Sequence, residues 1–171
     1  MGGRSIITVK GKPLNLAGEK KEIGQNAPDV VLLDPDLNEV RLSKYFDKIK
    51  LIASVPSLDT PICDLEIKRF NDEAVKLSKE IVIIFISMDL PFAQKRFRQS
   101  YGIKKVHILS DHKNADFGEK YGVLIEEMRL LARAVFVVDK KDKIKYAEYV
   151  DELTNHPNYD KALAVLGSLV E

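Results

Sequence analysis

The sequence predicts an α/β fold: a mixed central sheet flanked by helices. Three observations predict it. Short apolar runs alternate with stretches whose apolar residues recur at helical spacing, the pattern of a sheet covered on both sides. One run, Ile81–Ser87, is so apolar that both of its faces need cover. The last helix is preceded by two β-type runs joined by a tight turn, so a hairpin makes the sheet mixed.

The elements follow in order. Residues 6–9 and 14–16 are short β-type runs around Gly11-Lys12-Pro13 and read as an N-terminal hairpin within residues 1–17. Asn26-Ala27-Pro28 punctuates, residues 30–33 form a strand, and Asp34-Pro35-Asp36 with Asn38 makes a turn. Residues 40–42 resume a β pattern and residues 43–46 suit a helical turn. Residues 50–55 form a buried strand that stops at Pro56. From Thr60 the period changes: Ile67, Phe70, Ala74 and Leu77 share one helical face. After Ile81–Ser87, Pro91 opens a helix running to Tyr101. A short strand at 106–109, a helix at 114–121 and a core strand at Ala134–Val138 come next. Asp139-Lys140-Lys141-Asp142 turns the chain back into Ile144–Tyr149. Pro157 is expected to open the last helix, with Tyr159, Leu163, Leu166 and Val170 on one face. There is no internal repeat and no low-complexity linker, so one domain over residues 1–171 is expected.

Composition narrows the function. The chain has 171 residues, 45% of them hydrophobic and 31% charged, which suits a packed core and a wet surface. A net charge of +1 leaves no footprint for nucleic acid or an anionic membrane. The longest strongly apolar run, residues 81–86, is far short of the ~20 residues that span a bilayer. Residues 5–9 are too short for a signal-peptide core, so a cytoplasmic location is expected. His107, His112 and His156 have no metal-ligand spacing, and no glycine-rich phosphate loop is present. One cysteine excludes an internal disulfide, a CxxC motif and a cysteine-rich metal cage.

That cysteine, Cys63, follows a strand end, a short loop, and Thr60-Pro61, which suit a helix cap and first position. It therefore falls in the first helical turn. Unpaired N–H groups and the positive end of the helix dipole there favour thiolate over thiol. Asp59, Asp64 and Glu66 oppose this, so a reactive thiol needs a positive partner. A free cysteine is often simply buried and inert. The junction of a strand's carboxyl end with a helix favours the reactive reading.

Pro56-x-x-x-Thr60-x-x-Cys63 resembles the P-x-x-x-[TS]-x-x-C signature of peroxiredoxins. Ser87-Met88-Asp89-Leu90-Pro91-Phe92-Ala93-Gln94, Leu131-Ala132-Arg133-Ala134-Val135-Phe136 and the Lys10-Gly11-Lys12-Pro13 turn are similar to the bacterial thiol peroxidase subgroup, over essentially the whole chain. The resemblance implies a thioredoxin-like fold with an added N-terminal hairpin, and reduction of hydrogen peroxide and alkyl hydroperoxides without metal, haem or flavin. It implies that Cys63 is the peroxidatic nucleophile and that Arg133 is the positive partner, stabilising the thiolate and the departing oxygen. Thr60 would orient thiolate and peroxide, and could equally be only a cap. Pro56 would shield the sulfur, and could equally be only a strand terminator. A homodimer is also implied.

One departure limits the cycle. In this subgroup the segment ending at Phe97 is usually followed by a resolving cysteine, and here Arg98 follows, expected to face solvent. The Cys63 sulfenate must then be reduced by an external thiol, small or on a redoxin protein, and it should drift to sulfinate under excess peroxide. A non-enzymatic peroxide sensor signalling through oxidised Cys63 is the alternative, and a catalytically dead binding module a further rival.

Overall fold

A computed structural model describes residues 5–74 and 76–170. β1 (Ser5–Val9) and β2 (Lys12–Ala17) form the N-terminal hairpin. Its turn is Lys10-Gly11, with φ of 51° and 80°, the left-handed pair that matches strand twist. Pro13 belongs to β2, opposite Thr8; it lacks an N–H and lies outside the stretch where β2 pairs on its other edge.

β3 (Val31–Leu33) and β4 (Glu39–Arg41) flank the turn that Asp34 caps, its Oδ1 accepting from the Asp36 and Asn38 amides. A 3-10 turn, Leu42–Tyr45, leads to β5 (Ile49–Ser54). Then come α1 (Pro61–Ala74), β6 (Ile81–Ser87), α2 (Pro91–Tyr101), β7 (Val106–Ser110) and α3 (Asp116–Lys120). β8 (Leu124–Ile125) and β9 (Leu130–Leu131) precede β10 (Ala134–Val138), β11 (Ile144–Tyr149) and α4 (Tyr159–Ser168).

Seven strands form a mixed sheet in the order β11-β10-β5-β6-β7-β3-β4, with β5, β6 and β7 parallel and the remaining pairs antiparallel. Side chains alternate across it. Leu51, Ala53, Ile83, Phe85, Val135 and Val137 pack under Ile67 and Phe70 of α1, Phe97 of α2, and Ala162 and Leu166 of α4. Ile52, Ile84, Ile86, Phe136 and Val138 pack on the other face against Phe117, Tyr121 and Leu131. Cover is therefore unequal: three helices on one face, and on the other the five-residue α3 with a second sheet, β1-β2-β8-β9. β8 and β9 are two residues each, too short to show any alternation in sequence.

Two expectations need adjustment. The last helix starts at Tyr159, because Asn158 Oδ1 accepts from the Lys161 amide and so is the cap; Pro157 lies before it. α1 ends at Ala74, so Leu77 lies beyond it in the turn before β6; Ile67 and Phe70 are buried, and the Ala74 side chain lies outside the described residues.

Candidate active site

β5, between antiparallel β10 and parallel β6, carries the chain to the sheet's carboxyl edge, where Pro56 is buried and the 57–60 loop turns into α1. Thr60 closes that loop. Its carbonyl accepts from the Asp64 amide at 3.0 Å, and its Oγ1 accepts from the Cys63 amide at 3.4 Å while donating to the Ser57 carbonyl at 3.1 Å. Thr60 is thus the cap and Pro61 the first helical residue. The Thr60 proton goes to Ser57, not to sulfur.

Cys63 is fully buried in that first turn. Arg133, one residue before β10, reaches it from the neighbouring strand: Nη1 donates to Cys63 Sγ at 3.1 Å and to Glu66 Oε2 at 2.9 Å. Its Nε and Nη2 donate to the Leu153 carbonyl at 3.3 and 3.2 Å, which fixes the guanidinium plane. Burial alone would lower the Arg133 pKa; the Cys63 and Glu66 charges more than offset it, and the group stays cationic. The segment bearing Leu153 is itself bonded to β1, through Thr8 N–H to Asp151 and Leu153 N–H to Thr8. The N-terminal hairpin thereby helps to position Arg133.

The three acids near Cys63 prove unequal. Asp59 is exposed, and Asp64 is paired with Lys68 at 3.1 Å. Glu66 is fully buried on the same helical face as Cys63. Burial pushes its pKa from 4.5 up to about 7, against the pull of Arg133. Its Oε1 has no hydrogen-bond partner.

In sequence Glu66 is only a repelling charge and Asp89 carries no assigned role, yet both belong to the site. Asp89 Oδ1 accepts from the Ser57 hydroxyl at 2.8 Å, and Oδ2 from the Leu58 amide at 2.8 Å and the Ser87 hydroxyl at 2.7 Å. It ties the loop before Cys63 to the end of β6. The three-residue spacing from Cys63 was the available signal for Glu66, and the position just past β6 was the signal for Asp89.

Arg98 departs from expectation. It is half-buried, with Nε donating to the Ile103 carbonyl at 3.0 Å, because the chain reverses at Gly102 after α2 and brings that carbonyl back. The histidines do not come together, and the described residues hold no group of three or more His, Cys, Asp or Glu able to bind a metal ion.

A thiol held at a helix start beside a buried guanidinium, at the carboxyl ends of the parallel strands of a mixed sheet, defines a thioredoxin-like thiol protein. The chain belongs to the Redoxin family, whose model matches residues 22–163. It is 52% identical to the thiol peroxidase of Oceanobacillus iheyensis, covering 95% of this chain and 98% of that protein. It is 48% identical to the thiol peroxidase of Bacillus subtilis, covering 96% and 98%. Among solved structures, a peroxiredoxin-like protein from Aquifex aeolicus superposes with a TM-score of 0.91 at 40% identity, over 99% of this chain and 100% of that one. A thiol peroxidase from Chromobacterium violaceum, 22% identical, shares the fold with a TM-score of 0.84 over 95% of each chain.

Proposed function

We propose that this chain is a thiol-dependent peroxidase that reduces hydrogen peroxide and alkyl hydroperoxides through Cys63. The observation that carries the reading is the 3.1 Å bond from Arg133 Nη1 to the sulfur of the chain's one cysteine. The Cys63 thiolate attacks one peroxide oxygen, an S–O bond forms and the O–O bond breaks. The other oxygen leaves as an alkoxide or hydroxide and takes a proton to become alcohol or water. The Arg133 guanidinium stabilises charge on sulfur and on the leaving oxygen. Thr60 sets the position of the helix start, and Pro56 helps to exclude water.

No second cysteine exists to resolve the sulfenate. An external thiol therefore displaces water to form a mixed disulfide, and a second equivalent releases Cys63 with a disulfide of the reductant. Because Cys63 is fully buried, the first turn of α1 must open to admit that thiol. We assign the chain as one domain over residues 1–171, a homodimer, acting in the cytoplasm; no helix among the described residues is long and apolar enough to cross a membrane.

The test is turnover of both peroxides with several thiol donors, comparing wild type with Cys63→Ser. Repeated turnover that the variant lacks is expected, with a mixed disulfide at Cys63 seen by mass after one equivalent of peroxide and then thiol. Full activity in the variant overturns the reading. A single reaction without turnover favours the sensor.

A further inference from the structure

The seven-stranded sheet parts near one edge. β3 meets β7 at one residue pair only, Leu33 with Ser110. Beyond that pair a cavity of about 460 Å³ opens between β7, the second half of α2, the β3–β4 turn and the 3-10 turn. That volume suits a small ligand. Its floor is apolar, with Val40, Ile103 and Ile108, while its wall carries Lys44, Lys95, Arg98, Lys104 and His107 against Asp34 and Asp36.

The acids are already engaged. Asp34 accepts from the amides and side chain of its own turn, and Asp36 takes Lys95 at 3.0 Å. Among the described residues, Lys44, Arg98 and Lys104 have no carboxylate partner. Among the described residues Arg98 is anchored through Nε alone, and its Nη1 and Nη2 donors have no acceptor there. A guanidinium held by one nitrogen with a free edge is suited to two oxygens of one anion. The wall beside it is aromatic: the Tyr45 and His107 rings lie 5.2 Å apart, with Lys44 Nζ 5.9 Å from the Tyr45 ring centre. His107 registers the local field, since burial first, and then the Arg98 and Lys44 charges, lower its pKa.

We propose that this cavity binds a small organic molecule bearing an oxyanion, carboxylate or phosphate, with Arg98 as its principal ligand and Lys44 and Lys104 supplying further charge. The apolar floor takes the body of the ligand. The site is separate from Cys63. Arg98 lies seven residues beyond Pro91, about 10 Å along the axis of α2, whose start is the end beside the Cys63 loop.

Inorganic phosphate and succinate serve as probes, in separate titrations against chloride at matched ionic strength, with the His107 ring signals followed by NMR. A saturable shift is expected with at least one probe, together with a rise in the pH at which His107 titrates. Arg98→Gln should weaken the affinity at least tenfold, whereas Lys141→Gln, in the distant β10–β11 turn, should leave it unchanged. Phosphate binding alone identifies a phosphate site, and succinate binding alone a carboxylate site. If Arg98→Gln fails to fold, Lys44→Gln is read in its place and should weaken binding severalfold. Shifts equal to those in chloride, shifts that never saturate, or affinities indifferent to these substitutions overturn the proposal.

Discussion

Cys63 Sγ and the Glu66 carboxylate accept from the same nitrogen, Arg133 Nη1, at 3.1 and 2.9 Å. One buried cation thus serves two groups that can each be negative. What Glu66 does with its proton therefore bears on how much of the guanidinium charge is left for sulfur.

Glu66→Gln tests the cost of that arrangement. The folded-state pKa of Glu66, about 7, lies above its unfolded value near 4.5. Its stabilising effect is then fully present below about pH 4.5 and is lost as pH rises through about 7. The glutamine variant has no such proton to lose. Urea unfolding should show the variant gaining stability relative to wild type between about pH 5 and about pH 8. Asp111, raised to about 6 mainly by burial, titrates with the same sign in both proteins and cancels from the comparison. A difference that stays flat with pH would contradict the assignment.

Arg133→Met removes the cation that pulls the Glu66 pKa down, so Glu66 stays protonated at neutral pH, and the loss of the donors to Glu66 and the Leu153 carbonyl should cost about 1–3 kcal/mol of stability. The rate constant with peroxide should fall by about 10²–10³-fold. Adding Glu66→Leu should restore much of the stability and none of the rate. Recovery of both together would mean that Arg133 acts only on folding.

Thr60→Val removes both the acceptor for the Cys63 amide and the donor to Ser57. Thermal unfolding should show a loss of about 1 kcal/mol, with Thr60→Ser close to wild type. Stopped-flow oxidation of the valine variant should slow by about 10²-fold, the scale of a misplaced reacting group. A valine variant as fast as the serine one would leave Thr60 with no role beyond capping.

Asp89→Ala leaves the Leu58 amide and the Ser57 and Ser87 hydroxyls without their acceptor, at a cost of about 1–3 kcal/mol. The distinctive readout is local: hydrogen exchange at Leu58 should accelerate, and Cys63 oxidation should slow, while the β6 amides stay protected. Unchanged exchange at Leu58 would remove Asp89 from the account.

Much of this site was legible before folding. Pro56, Thr60 and Cys63 are close in sequence, and cap chemistry with a strand stop places them in any α/β chain. Arg133 was reached through resemblance, because 70 residues separate it from Cys63 and nothing local ties the two. The same distance hid Leu153, whose carbonyl aims the guanidinium. β8 and β9 were hidden for another reason: a two-residue strand has no period, and the pairing that defines it comes from β2. Arg98 was expected in solvent because helix position alone does not show that the chain returns at Gly102 to offer it the Ile103 carbonyl.

The sequence by itself determined the order of the strands and helices apart from β8 and β9, the one thiol at a helix start, and the need for an outside thiol to complete a cycle. These follow from periodicity, turn chemistry and a count of one, all local or additive properties. The tertiary structure alone decided that Glu66 is buried with Cys63 on one cation, that Asp89 ties down the loop, and that a cavity opens where β3 leaves β7. Each of these depends on burial and on side chains brought together across the sheet, where removal from water changes what a charge costs and which partner it must find.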